Sequence, residues 1–87
     1  MKIDPLPKWI MKKYALLWRT FQEREFSYMD VSELFKGENI NVIRTMISQL
    51  RRNGWLTVAL DQKDSRKRVY KLRPLQEILE NMGVTNL

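Results

Sequence analysis

Segment 40–53 combines hydrogen-bonding side chains with the spacing of a single helix face. On a helical wheel its apolar residues fill one arc, and the opposite arc carries basic, amide and hydroxyl groups with no acid among them. Arginine can donate two hydrogen bonds to guanine and asparagine can pair with adenine, so these groups suit nucleic-acid recognition. An ordinary solvated helix surface is the alternative. We call this arc the polar face; it comprises Asn41, Arg44, Thr45, Ser48, Arg51 and Arg52.

A second group of basic residues lies in and beside the polar, turn-like stretch 61–67. A basic hairpin tip can straddle a DNA backbone and place an arginine in the minor groove, where the negative potential is concentrated. A flexible solvated loop is the alternative. We call this group the basic loop; it comprises Lys63, Arg66, Lys67 and Arg68, with Asp64 between the first two.

The residue types argue against catalysis. The chain has 87 residues without Cys or His, so it lacks an imidazole base, a thiolate nucleophile and the usual zinc ligands. Its glycines, Gly37, Gly54 and Gly83, stand too far apart for a glycine-rich phosphate loop. We therefore expect no enzyme activity, no cofactor and no metal.

Length and composition predict one domain spanning 1–87. No apolar run approaches the length of a membrane-spanning helix, so we expect no membrane association. The N-terminus lacks the apolar core of a signal peptide, and no disulfide can form. These features predict a cytoplasmic protein.

The net charge is concentrated in the middle of the chain. Segment 38–73 has nine basic and three acidic residues, a balance of +6. Segment 1–37 has seven basic and five acidic residues and segment 74–87 has two acidic ones, so these flanks contribute +2 and −2 and cancel. We therefore expect a polyanionic partner to meet the middle segment.

Periodicity and capping signals predict the secondary structure. Ser27 and Asp30 form a capping-box pattern, and either Asn39 or Asn41 can cap the next helix. Gly54 ends that helix, and the apolar period then changes from 3.6 to 2, as expected of strands. The predicted elements are helices at 8–22, 28–36, 40–53 and 74–82 and a hairpin over 55–72.

This order of elements predicts a mainly α fold with a small β-hairpin, an α+β class. A short second helix joined by a tight turn to a third is the helix-turn-helix arrangement, and a hairpin directly after it makes the motif winged. The expected architecture is a three-helix core, a wing and a short C-terminal helix. We expect Trp18, Trp55 and Tyr70 to belong to the core rather than to stack on single-stranded bases.

Two stretches resemble known regulators. Leu50-Arg51-Arg52-Asn53-Gly54-Trp55-Leu56, closing the segment 43–56, is similar to the passage from third helix to strand in winged helix-turn-helix regulators. Asp64-Ser65-Arg66, followed by Leu72, resembles the wing of the multiple-antibiotic-resistance regulator (MarR) family.

The MarR resemblance covers roughly residues 26–73. It implies DNA binding, with Arg66 contacting DNA from the wing and Asp64 bracing the wing. The chain departs from the family at Arg73, where threonine is usual, and in its short flanking helices, so we do not extend small-molecule effector sensing to it.

The leading hypothesis is sequence-specific binding of double-stranded DNA by a transcription regulator. The N-terminal part of a recognition helix meets base edges in the major groove. Base edges are therefore assigned to the first four residues of the polar face and phosphates to its last two arginines. The wing would lie on the backbone or in the minor groove.

One helix in one groove reads few bases, so a homodimer is expected. Trp9 and Leu16 lie seven residues apart on an otherwise polar side of the first helix, which indicates either chance exposure or a contact surface. This pair could pack on the last helix, in the same chain or in a second copy. The candidate contact residues are Trp9, Leu16, Leu75, Ile78, Leu79 and Met82.

Two other functions fit the same pattern. A winged helix can serve as a protein-docking module within a transcription or replication assembly, its basic surface meeting an acidic partner. Alternatively, the chain could be a nonspecific architectural DNA binder in which phosphate contacts dominate.

Overall fold

Four helices and one hairpin make up the described chain, residues 3–64 and 66–81 of a computed structural model. This composition confirms the predicted α+β class. Within these residues, no helix has both the length and the apolar character needed to cross a bilayer. The elements are α1 (Lys8–Phe21), α2 (Tyr28–Leu34), α3 (Ile40–Arg52), β1 (Leu56–Leu60), β2 (Arg68–Leu72) and α4 (Leu75–Asn81).

The helices end slightly earlier than predicted because their last residues leave the helical conformation. Gln22 has a φ of 53° and ends α1 one residue before the predicted position. Phe35, at φ −104° and ψ 38°, ends α2 two residues early, and Asn53 is the cap of α3 rather than its last residue. The final helix begins at 75 instead of 74, and its predicted last residue, Met82, lies outside the described residues.

Side-chain caps determine where α2 and α3 begin. The Ser27 hydroxyl accepts from the Asp30 N–H (3.2 Å) while the Asp30 carboxylate accepts from the Ser27 N–H (2.8 Å), which confirms the capping box. At α3 the cap is Asn39, whose Oδ1 accepts from the N–H of Asn41 at 2.7 Å. Asn41 itself lies exposed on the first turn.

The hairpin closes one end of the helical core. β1 and β2 pair antiparallel, with Leu56 opposite Leu72, and both of these leucines are buried. Phe26 and Tyr70 exchange two backbone hydrogen bonds (2.9 and 2.7 Å), which ties the segment before α2 to β2. Leu60, the last residue of β1, is 60% exposed, so the buried face of the strand stops before the loop.

The core lies where the apolar sides of α1 and α3 meet the hairpin. Most apolar residues on the inward sides of these helices are buried there. Burial of each such side chain stabilises the fold by about 1.5–3 kcal/mol. Ile40 is the exception in α3: at the first turn it is 50% exposed. Trp55 and Tyr70 are buried and Trp18 is packed against the core, in agreement with their predicted role. The helix residues at the centre are Ile10, Tyr14, Leu17, Val31, Ile43, Met46, Leu50 and Ile78.

The segment before α1 also belongs to the core, although its sequence predicted no structural role. Ile3 is only 3% exposed. The Trp55 indole N–H donates to the Asp4 carbonyl at 2.7 Å, and the Asp4 N–H donates to the Asn53 carbonyl at 3.0 Å. These bonds hold the N-terminal segment against the end of α3.

Tyr14 provides a test of this packing. Its ring meets Trp55 edge to face at 4.9 Å between centroids, and its hydroxyl is buried without a hydrogen-bond partner among the described residues. Burial raises the pKa of Tyr14 to about 12. Above pH ~10 the unfolded tyrosine ionises while the folded one stays neutral, so this group lowers the free energy of unfolding as pH rises.

We therefore predict that Tyr14→Phe leaves stability at neutral pH unchanged or slightly increased, because it removes an unpaired buried hydroxyl. The free energy of unfolding of the parent protein should fall more steeply than that of Y14F between pH ~10 and pH ~11. Denaturant unfolding of both proteins at these pH values measures the difference. Parallel pH dependences would show that Tyr14 ionises equally in the folded and unfolded chains.

Candidate nucleic-acid interface

α3 is oriented by its apolar side. Ile43, Met46 and Leu50 are at most 4% exposed, so the helix is held against the core along its length. All six residues of the polar face are exposed on the other side. The structure therefore brings the predicted helix residues together on one solvent-facing surface.

Two aspartates shape the loop between the strands. Asp61 Oδ1 accepts from the Lys63 N–H (2.8 Å), and Asp64 Oδ1 accepts from the Arg66 N–H (3.0 Å). The Asp61 N–H donates to the Lys67 carbonyl and the Lys67 N–H to the Asp64 carbonyl, both at 2.9 Å. Such aspartate turns stabilise tight loops, and all four residues of the basic loop are exposed around them.

Asp64 acts mainly on the backbone rather than on the arginine side chain. The Arg66 Nε lies 3.8 Å from Asp64 Oδ1, and the Arg66 side chain is 95% exposed. An ion pair this long and this exposed contributes little to stability. Asp64 therefore contacts the loop through an amide hydrogen bond, and the Arg66 guanidinium is exposed to solvent.

A cleft of about 480 Å³ separates α3 from the hairpin. Its lining includes four arginines and no acidic residue. Tyr28 and Tyr70, together with aliphatic groups, form the apolar part of its wall. We call it the arginine cleft; its polar lining comprises Arg44, Ser48, Arg51, Arg52 and Arg68.

The arginines of the cleft have no acidic partner among the described residues. The ion pairs within residues 3–64 and 66–81 join Lys13 to Glu38 (2.7 Å), Arg66 to Asp64 (3.8 Å) and Arg73 to Glu77 (2.7 Å). None of these pairs involves α3 or Arg68. Positive charge is therefore concentrated along α3 and at Arg68, with no acid bonded to it among the described residues.

Arg73 differs from the other basic residues of the middle segment. Its Nε donates to the Gly54 carbonyl at 2.6 Å and its guanidinium binds Glu77 at 2.7 Å, with only 13% of the side chain exposed. It therefore joins the end of α3 to α4 and contributes to the fold. The spacing of Arg73 and Glu77, four residues apart at a helix start, was the sequence signal for this pair.

The candidate dimer residues differ in their exposure. Trp9, Leu16, Leu75 and Leu79 are 40%, 37%, 46% and 49% exposed, so each keeps surface that a second copy could contact. Ile78 is instead fully enclosed in the chain's own core and is not available to a second copy. Met82 lies outside the described residues.

Comparison of the chain with protein-family models, curated proteins and solved structures gave no match. Its function must therefore be inferred from the polar face, the basic loop and the arginine cleft.

We predict that Asp64→Ala loosens the basic loop whereas Asp64→Asn does not. Alanine removes the acceptor of the Arg66 N–H, while asparagine keeps an oxygen at that position. Loss of one hydrogen bond worth about 1 kcal/mol corresponds to about fivefold faster amide exchange at Arg66. Hydrogen exchange followed by NMR measures this rate. Equal exchange in D64A and the parent protein would exclude a bracing role.

Proposed function

We propose that this chain is a winged helix-turn-helix domain that binds double-stranded DNA sequence-specifically and regulates transcription. The observation that carries the proposal is the exposed polar face of α3, which is free of acidic residues and shares the arginine cleft with Arg68 of the hairpin. Its support includes the short turn between α2 and α3, the hairpin that follows α3, and the resemblance of residues 26–73 to the MarR family.

In this proposal α3 is the recognition helix and lies in the major groove. Asn41, Arg44, Thr45 and Ser48 contact base edges, since they lie in the first half of the helix. Exposed Ile40 adjoins them and suits contact with a thymine methyl group.

The remaining basic residues hold the backbone. Arg51 and Arg52, in the last turn of α3, bind phosphates. The hairpin is the wing, and the almost fully exposed Arg66 contacts the backbone or the minor groove. Such phosphate contacts make binding strongly dependent on salt.

The dependence of DNA affinity on salt concentration tests the proposed phosphate contacts. Fluorescence anisotropy of a labelled random-sequence duplex should show affinity falling roughly a thousandfold between about 50 and 200 mM salt, for about six phosphate contacts. Arg51→Gln should weaken binding on all sequences and reduce the salt slope by about one. Arg19→Gln, which removes the same charge from an exposed position on α1, is the matched control. Absence of binding at the lowest salt would refute DNA binding and favour an acidic protein partner.

Sequence specificity is tested after selection of a preferred duplex. Asn41→Ala and Arg44→Ala should each reduce discrimination between the preferred and random duplexes by about 1–3 kcal/mol, while binding to random DNA weakens less. Equal affinities for selected and random duplexes would favour the architectural function.

We also propose that the domain acts as a homodimer through the exposed apolar residues of α1 and α4. Among the described residues, Lys8 and Lys12 of α1 and Glu80 of α4 form no ion pair, so these opposite charges are available to pair between two copies. Packing α4 of one copy on α1 of the other buries Leu79 and Leu16, which are exposed in the single chain.

For the dimer, Leu16→Lys and Leu79→Lys should each shift the protein from dimer to monomer, because each places a charge in an apolar interface. Analytical ultracentrifugation measures the mass. Met29→Lys, at a 72% exposed position on α2, is the control and should not change it. A monomeric parent protein, or dimeric L16K and L79K proteins, would contradict the proposed interface.

A further inference from the structure

The arginine cleft has the composition of a binding site for a small anion with an apolar body. Arg44, Arg51 and Arg52 line one side from α3, and Arg68 lines the other from β2. Guanidinium groups bind phosphate oxygens through pairs of parallel hydrogen bonds, and the four arginines line the same concave space. The charge is therefore arranged around a cavity as well as along a helix surface.

The apolar part of the wall adds a second feature. Ile47, Val58 and Tyr70 belong both to the packing of α3 on the hairpin and to the lining, so part of the cleft wall is apolar. Tyr28 also lines the cleft, and its hydroxyl is buried without a hydrogen-bond partner among the described residues. Because that oxygen has essentially no accessible surface, the ring of Tyr28 rather than its hydroxyl is the part available to a ligand.

We propose that the arginine cleft binds a nucleotide with two or more phosphates, and that this ligand competes with duplex DNA. The phosphates bind the arginines from both sides, and the sugar and base pack on the apolar wall. The competition rests on the proposed function, because Arg44, Ser48 and Arg51 are then needed by both ligands.

The ligand chemistry follows from charge and volume. A duplex backbone presents one negative charge per phosphate along an extended surface, whereas a polyphosphate concentrates several charges within one small group. The 480 Å³ cleft is within the range of small-molecule sites and exceeds what a single phosphate requires. A nucleotide uses both the charged and the apolar parts of the lining.

Calorimetric titration of the full chain without DNA tests the site. The probes are ATP, inorganic tripolyphosphate and adenosine, at about 0.15 M salt to screen nonspecific attraction. ATP should bind more tightly than tripolyphosphate, and adenosine should not bind measurably. Absence of ATP binding would overturn the site, and equal affinities for ATP and tripolyphosphate would overturn the nucleotide assignment.

Variants locate the binding. Arg51→Gln and Arg68→Gln should each weaken ATP binding about fivefold, whereas Arg19→Gln, of equal charge change but outside the cleft, should leave it unchanged. NMR shifts on ATP addition should concentrate in α3, β2 and Tyr28. Equal weakening by R19Q and R51Q, or shifts spread over the whole surface, would overturn the assignment to this cleft.

Competition is measured separately. ATP at ten times its dissociation constant should weaken duplex binding about tenfold in the anisotropy assay, and adenosine should have no effect. If ATP and duplex both bind and neither affects the other, the shared site is refuted. Because the titration contains no DNA, it decides on nucleotide binding even if the duplex proposal fails.

Discussion

Burial of the apolar side of α3 is the constraint on which the rest of the structure depends. Met46 and Leu50 are fully buried and Ile43 almost so, which fixes the rotation of the helix about its axis. Every polar residue of the helix must then face outward. The exposed, acid-free basic face that results is the basis of the proposed DNA binding.

The hairpin turns this helix face into a shaped surface. The backbone bonds between Phe26 and Tyr70 hold β2, and Arg73 holds the start of β1 through the Gly54 carbonyl. These contacts bring Arg68 to the cleft opposite α3. A mobile hairpin would supply the same charge without a defined cavity, so the proposed ligand binding depends on these internal bonds.

The concentration of positive charge has an energetic cost. Like charges on α3 and the hairpin repel each other, and the described residues supply no acid bonded to the cleft arginines. The large core and the ties formed by Trp55 and Arg73 offset this repulsion. A bound polyanion removes it, so duplex DNA or a nucleotide is expected to stabilise the fold.

The sequence by itself determined the helices, their approximate ends, the capping box at Ser27 and the inward and outward faces, because these depend on residues within a few positions of each other. α1 and α2 end one and two residues before their predicted positions, because Gln22 and Phe35 have non-helical backbone angles. Only the tertiary structure decided that Tyr28 and Arg68 join the α3 arginines around one cleft. It alone buried Ile3 and Ile78, since such contacts join segments far apart in the chain, whose distances no local pattern encodes.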